Sequence, residues 1–317
     1  MTQAVAAVGK APKERRASAW SRKQKIVGWG FLAPFFLAFI LVFLVPVIVS
    51  IKSALFSQVP KGEGLYGGGG TVDTFVGLDN LSAAAQNPVF WQGVGRVMLF
   101  GAIQIPVMIG GALLLALLLD SMLVKRVAFF RLGYFLPYAI PGIIAAMVWV
   151  YMYTPQISPF QGILPAGTNL MAPNIILFSM ANMTTWTYMG YNMLIFLAAL
   201  QAIPHDLYEA ARIDGASGWQ VATKIKIPLV RGAALLAVLL SIIGTIQLFN
   251  EPTVMKTMNP WMGDAYTPMM MAYNSLLGQV TPSGSGPANA ISLLMAVIAG
   301  ALAAIYALVQ RKGGDLV

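Results

Sequence analysis

The sequence of 317 residues contains no cysteine and one histidine, His205. Disulfides and thiolate metal sites are therefore excluded, and a single imidazole cannot form a histidine cluster around a metal ion. The same shortage leaves no Ser-His-Asp or Cys-His arrangement for nucleophilic catalysis. The phosphate-binding motif G-x-x-x-x-G-K-[ST] is also missing, since Ala11 follows Gly9 and Lys10. We therefore predict a chain that is not an enzyme and that binds no cofactor or metal itself.

Charged residues are scarce as well. They make up 10% of the sequence against 58% hydrophobic residues, and the mean hydropathy is +0.73. This composition is too apolar for a soluble protein of this length and predicts a multi-pass protein of the bilayer. A helix of about 20 apolar residues crosses a hydrocarbon core. Six stretches are long enough, which predicts an all-α integral membrane protein with six transmembrane helices, at residues 27–51, 97–119, 132–153, 175–203, 232–249 and 288–309.

The positive charges indicate the orientation. Of the 20 Lys and Arg residues, 16 fall on one side when six helices are threaded in order, including those of a basic tail over residues 1–26. Because Lys and Arg favour the cytoplasmic side, we expect both termini in the cytoplasm, at a bacterial-type cytoplasmic membrane. The first span should be retained, because its apolar run exceeds that of a signal peptide and no cleavage site follows it. The net charge of +9 then reflects topology and attraction to the lipid bilayer, and nucleic acid is not an expected partner.

Two long segments should lie outside the cell. Residues 53–91 contain a run of glycines with scattered Asp and Pro, which predicts a flexible loop. Within residues 259–287, Met269–Leu277 is apolar enough for a short helix on the outer membrane surface. Two roles fit this helix, a lid that packs on the bundle or a contact for an extracytoplasmic protein, and the sequence leaves both open.

Polar residues crowd the fourth span, where they are costly in hydrocarbon and tend to line a cavity or the bundle interior. Their spacing of i, i+4, i+7 and i+8 places on one helical face Thr184, Tyr188, Tyr191 and Asn192. Hydroxyls, amides and aromatic faces are the groups that bind a sugar. The alternative is structural, because Tyr anchors spans at the interface while Thr and Asn join helices. In the fifth span Thr245 adds a polar group, and Glu251 with Pro252 predicts the helix exit.

The polar stretch between the fourth and fifth spans reads EAARIDGASGWQVATKIKIP. It resembles the EAA loop of membrane subunits in binding-protein-dependent ABC importers. The residues at that family's spacing are Glu209, Ala210, Ala211, Asp214, Gly215, Ala216, Ile225 and Pro228. Ala222 departs from the Phe that is common in the family, and Gly215 permits a turn between two short helices. The resemblance implies a type I ABC importer permease fold, a permease domain over 27–311, and a cytoplasmic loop over 204–231 that docks on an ATPase.

Residues 129–155 and 183–193 resemble carbohydrate permeases of the maltose-transporter type. By ungapped spacing from the EAA loop, that type's sugar-contacting positions fall on Thr184, Thr187, Tyr188, Tyr191, Gly244, Thr245 and Leu248. With Asn192 these residues form the predicted substrate path. Gly244 and Leu248 stand where that relative has an aromatic and an amide, so the sugar or its pose should differ. The resemblance implies a sugar or oligosaccharide as cargo.

The same resemblance implies the partners. These are a second, homologous permease subunit, two ATPase subunits that carry ATP and magnesium, and an extracytoplasmic solute-binding protein. Within the family, the alternative cargo is glycerol phosphate or another phosphorylated polyol, which calls for Lys or Arg in the cavity. Outside the family, one alternative is an ion-coupled secondary transporter, for which the spans hold almost no carboxylates. The other is a non-transport scaffold, which the polar face of the fourth span disfavours.

Overall fold

The computed structural model describes residues 22–60, 71–121, 124–160, 162–165 and 167–314. The described part is mostly helical, as predicted, and the predicted basic tail lies outside it up to residue 21. Two antiparallel strands are present in this part, β1 (Phe56–Pro60) and β2 (Thr71–Phe75). The helices are α1 (Arg22–Phe39), α2 (Val45–Ala54), α3 (Asp79–Gln86), α4 (Pro88–Asp120), α5 (Val127–Phe135), α6 (Gly142–Tyr153), α7 (Ile176–Gln201), α8 (His205–Ile213), α9 (Gly218–Val221), α10 (Ile227–Leu229), α11 (Arg231–Ile246), α12 (Asn250–Met258), α13 (Pro268–Leu276) and α14 (Ser285–Gly314).

The described part of the N-terminal unit, which ends at Ser50, is one long apolar helix. α1 continues through a π-helical turn, Ile40–Leu44, into α2, so that the candidate membrane span runs unbroken over Ile26–Ala54. Its large apolar side chains are exposed, and Phe39 stacks on Phe43 with ring centroids 5.5 Å apart. A helix that is hydrophobic all round suits a lipid environment. This span covers the first one predicted from the sequence.

The pair α4 and α7 forms the centre of the second unit, which begins at Ile51. The two helices approach closely because small residues face the contact. A Cβ added at Gly111 would lie 2.7 Å from Cε of Met189, and Ala112 and Ala116 are fully buried in the cluster that includes Phe196. Much of α7 is therefore inside the bundle, which shields its polar side chains from lipid.

The described helices give a lower count of spans than the six predicted. Three are long and apolar enough to cross a membrane, and two bent helix pairs raise the number to five if each pair is one span. α7 is not among them, since its polar residues lower its hydropathy. The predicted third span, 132–153, is interrupted. A 3₁₀ turn, Leu136–Ala139, follows α5, and the chain then bends by 96° into α6 because Pro141 lacks an N–H and holds Ile140 extended.

The fifth predicted span, 232–249, also ends differently. α11 stops at Ile246, and α12 begins at Asn250. The predicted exit at Glu251 and Pro252 is wrong, because both residues lie in the first turn of the new helix, where a proline is tolerated. α12 then packs against α6 and α7. The helix of the fifth predicted span thus ends about one turn earlier than the sequence indicated.

Parts of the two segments predicted to lie outside the cell are ordered. In the described part of residues 53–91, the strands β1 and β2 pair, and Asn80 of α3 donates to the carbonyls of Ala54 and Phe56, both at 2.9 Å, while the run of glycines lies outside the described residues. The helix predicted at Met269–Leu277 is α13, and six of its nine residues are buried. It packs on α14 and on α4, where a Cβ at Gly93 would lie 3.0 Å from Pro268. The structure therefore shows this helix packed on the bundle.

Candidate functional site

A cluster of three tyrosines lies at the middle of α7. Tyr138, from the 3₁₀ turn, stacks on Tyr191 with ring centroids 4.7 Å apart and planes at 16°. The same ring meets Tyr188 edge to face at 5.8 Å. Such pairs stabilise one another beyond the area they bury. Tyr138 is 39% exposed and Tyr188 is 38% exposed, so the cluster keeps part of its aromatic surface uncovered.

The broken third span places Tyr138 in this cluster. A Cβ added at Gly190 would lie 1.8 Å from the carbonyl oxygen of Tyr134, so only a glycine in α7 allows the chain around Tyr134 to come so close. Pro137 then starts the 3₁₀ turn and Pro141 ends it. Tyr138 lies within residues 129–155, but the predicted substrate path did not include it. Its position between two prolines within an apolar stretch was the available signal.

The structure divides the predicted face of α7 into two groups. Thr184, Tyr188 and Tyr191 are partly exposed, while Thr187 and Asn192 are buried. The hydroxyls of Thr184 and Thr187 donate to the carbonyls of Met180 and Met183, at 2.9 and 3.0 Å, which leaves their oxygens able only to accept further hydrogen bonds. The amide of Asn192 donates to the carbonyl of Tyr188 at 3.0 Å. Asn192 is therefore a buried residue that hydrogen-bonds the backbone of Tyr188.

The three predicted residues of the fifth span lie elsewhere. Gly244 is exposed, whereas Leu248 is buried in a core cluster with Phe100 and Met255. Thr245 lines an apolar groove of about 450 Å³ between α4, α11 and α14, where a Cβ at Gly101 would lie 2.9 Å from its Cγ2. The structure does not bring these side chains to the tyrosine cluster. Glu251 lies in the first turn of α12, the helix that packs against α6 and α7.

The polar loop over 204–231 has a turn between two helical stretches, as predicted: α8 comes first, and α9, a π-helical turn and α10 form the second over Gly218–Leu229. α8 ends at Ile213, and Gly215 follows in the left-handed region with φ +80°. The N–H groups of Gly215 and Ala216 donate to the carbonyls of Arg212 and Ala211 at 3.0 and 2.9 Å. This pattern is a Schellman motif, which favours glycine at its left-handed position. A capping box between Ser217 and Gln220 then starts α9.

Several motif residues of the loop surround one hollow. Its volume is about 230 Å³, and its lining includes Asp214, Gly215, Ala216 and Ile225. Glu209, Ala210 and Pro228 are exposed, and Ala211 is half-buried. Two large apolar side chains are also uncovered, since Ile213 is 86% exposed and Trp219 is 77% exposed. An apolar surface bordered by charges is typical of a protein docking site.

Comparison with known proteins identifies the family. Residues 112–313 match the family described as "Binding-protein-dependent transport system inner membrane component". The lactose transport system permease protein LacF of Rhizobium radiobacter is 31% identical over 247 residues, which cover 74% of this chain and 77% of LacF. The arabinooligosaccharides transport system permease protein AraP of Halalkalibacterium halodurans is 28% identical over 310 residues, 96% of this chain and 94% of AraP.

A solved structure has the same fold. It is the crystal structure of a bacterial alginate ABC transporter in complex with an alginate pentasaccharide-bound periplasmic protein. One of its chains superposes with a TM-score of 0.70 at 20% identity, and the match covers 92% of this chain and 96% of that one. The all-α permease fold predicted from the sequence is thus confirmed. The chain belongs to the family of binding-protein-dependent transport system inner membrane components.

Proposed function

We propose that this permease forms the path of a sugar or oligosaccharide delivered by an extracytoplasmic binding protein. Membership of the family makes the chain a multi-pass membrane subunit of an importer, a transport protein and not an enzyme. The proposal for a sugar depends chiefly on one observation, the partly exposed tyrosine cluster of Tyr138, Tyr188 and Tyr191. The names of LacF and AraP, and the alginate in the solved complex, support the same class of cargo.

The chemistry of the cluster fits a neutral sugar. Aromatic faces stack on the C–H face of a pyranose, and phenol hydroxyls exchange hydrogen bonds with its hydroxyls. Thr184 offers an acceptor one turn away from Tyr188. The path therefore combines stacking surface with acceptors. Three residues of the predicted path would reach the sugar only in a conformation in which α11 has moved. They are Gly244, Thr245 and Leu248.

The alternative cargoes fit less well. A phosphorylated polyol calls for Lys or Arg, and neither residue type occurs in the 3₁₀ turn Leu136–Ala139 or in α7. An ion-coupled secondary transporter is set aside by membership of a family of binding-protein-dependent transport components. Glycerol phosphate remains the alternative against which the sugar should be tested.

The loop over 204–231 would couple the path to separate ATPase subunits, which carry the ATP and magnesium. Its exposed Ile213 and Trp219 supply apolar contact, and Glu209 and Asp214 supply charge. The complex would contain two ATPase subunits and a second, homologous permease subunit, with this loop and both termini in the cytoplasm. Closure of the ATPase dimer would push the loops and turn the helices of the 27–311 permease domain, so that the path opens alternately to each side.

Two glycines of the loop give a matched test. Gly215 has φ +80°, whereas Gly218 has ordinary backbone geometry, and an added Cβ meets no atom within 4 Å at either position. Gly215→Ala should distort the turn, because the left-handed conformation costs an alanine about 1–2 kcal/mol. We expect Gly215→Ala and Glu209→Ala to lower solute-stimulated ATP hydrolysis by the reconstituted complex, and Gly218→Ala to leave it unchanged. Normal stimulation in both variants would contradict the coupling role.

A further inference from the structure

A charged pair joins the end of α4 to the loop over 204–231. Nζ of Lys226 lies 2.5 Å from Oδ2 of Asp120, and the two side chains are only 14% and 15% exposed. Asp120 is the last residue of α4, and Lys226 ends the π-helical turn Ala222–Lys226. A cation is favourable at this position, because the C-terminal end of a helix carries partial negative charge. The pair thus connects a transmembrane helix to the loop at a largely water-excluded point.

The same lysine also contacts the first helix of the loop. Its Nζ lies 4.9 Å from the centre of the Tyr208 ring, which is a cation–π distance. Tyr208 directly precedes Glu209 in α8, and its hydroxyl is buried with no hydrogen-bond partner among the described residues. Burial, and secondarily the charge of Asp120, raise the pKa of Tyr208, so the phenol stays neutral beneath the ion pair. Lys226 therefore contacts α8 and α4 at once.

α4 is well placed to pass on a movement of the loop. It packs along α7 at Gly111 and Met189, and Nδ2 of Asn192 reaches the sulfur of Met108 at 3.7 Å. Asn192 in turn holds the carbonyl of Tyr188. Closely packed helices move as units and do not deform continuously. A displacement at Asp120 would therefore reach the tyrosine cluster through one packed interface.

We propose that the ion pair of Asp120 and Lys226, seated on Tyr208, is a positioning link that transmits movement of the loop to α4. This inference rests on the proposed coupling role of the loop and assigns that role a point of attachment within the permease. A buried ion pair contributes little net stability compared with an apolar pair, and in some proteins it fixes the alignment of two elements. Removing one partner leaves the other charge buried and uncompensated. The ion pair therefore matters more for transmitting movement from the loop to α4 than for the stability of the fold.

The test uses the assembled complex in proteoliposomes and measures solute transported per ATP hydrolysed. We expect Lys226→Met to lower this ratio about tenfold, the scale of a typical coupling free energy between sites. Lys226→Arg, which keeps the charge, should restore much of it. Lys125→Met, in an exposed position of the turn that follows α4, is the matched control and should behave as the unmodified protein.

A second variant tests the inference even if Lys226→Met prevents assembly of the complex. The double variant Asp120→Asn with Lys226→Met leaves no unpaired charge, so it should assemble, and we expect it to hydrolyse ATP with poor transport. If the pair were merely structural, the yield of complex would fall while transport per ATP in the surviving complex stayed normal. That result, or full coupling in the assembled double variant, would overturn the inference. If Glu209→Ala uncouples transport and the Lys226 variants do not, the inference alone fails; if all of them transport normally, the proposed role of the loop fails as well.

Discussion

The rings of Tyr138 and Tyr191 stack 4.7 Å apart although they come from two different predicted spans. The contact needs the break in the third span at Pro141 and the close approach at Gly190. Backbone irregularity at membrane depth is tolerated where it is buried in protein or lines a cavity. The stacked pair, with Tyr188 beside it, is therefore the strongest indication of a solute path in the described part of the chain.

Removing a ring from this surface should weaken sugar binding. We expect Tyr188→Ala to cost about 1 kcal/mol or more of binding free energy, roughly a fivefold rise in the dissociation constant, because a stacking face is lost. Tyr191→Phe should cost about 0.5–1.5 kcal/mol, because a sugar hydroxyl loses its partner. The measurement is a titration of solute against the assembled complex without the binding protein.

Tyr151 provides the control for these variants. It lies on α6, is 67% exposed, and makes no ring contact with another aromatic side chain among the described residues. Tyr151→Ala should leave solute affinity unchanged. Unchanged affinity in Tyr188→Ala and Tyr191→Phe, together with a lower yield of complex, would show that the cluster only packs helices.

Much of this fold follows from the sequence, because lipid imposes a simple rule of length and hydropathy. The first span and α14 lie where the apolar runs predict them. The break at Pro141 does not follow, since transmembrane helices often tolerate proline. The contact of Asp120 with Lys226 joins residues 106 positions apart, and no local pattern encodes such a tertiary pairing. Thr245 and Leu248 were assigned to the substrate path by their spacing from the EAA loop. Spacing along the sequence does not reveal that the helix ends at Ile246.

The approach at Gly190 makes a prediction about stability. A methyl group there would collide with the backbone at Tyr134, and overpacking costs about 1–3 kcal/mol. Gly190→Ala should therefore lower the thermal unfolding temperature of the protein in detergent. Gly110→Ala is the matched control, because its Cβ meets no atom within 4 Å and alanine favours a helix by up to about 1 kcal/mol. Equal unfolding temperatures for the two variants would show that this contact is absent.

Arg96 should hold the segment before α13 against α4. Its guanidinium lies 4.5 Å from the centre of the Tyr266 ring and donates to the carbonyl of Tyr266 at 3.0 Å. We expect Arg96→Met to speed amide hydrogen exchange in residues 259–267, measured by mass spectrometry. Lys52→Met, which removes a more distant cation–π contact with Phe56 at 6.0 Å, should not affect that segment. If hydrogen exchange is unaltered in the Arg96 variant, Arg96 does not hold this segment in place, and its order depends on α13 alone.

The proposed orientation is open to direct labelling, because the chain has no cysteine of its own. Gln156 and Gln310 are exposed, one after α6 and the other near the end of α14. In intact cells, a membrane-impermeant thiol reagent should label Gln156→Cys and leave Gln310→Cys unlabelled until the cells are opened. The reverse labelling would invert the topology and place the loop over 204–231 outside.

Uptake into proteoliposomes tests the central claim most directly. The complex of this chain with its second permease and ATPase subunits would be reconstituted with the binding protein on one side and ATP on the other, and supplied with labelled oligosaccharides or glycerol phosphate. We predict accumulation of an oligosaccharide that requires both hydrolysable ATP and the binding protein. Accumulation of glycerol phosphate alone would contradict the proposed cargo, and oligosaccharide uptake driven by an ion gradient without ATP would contradict the account as a whole.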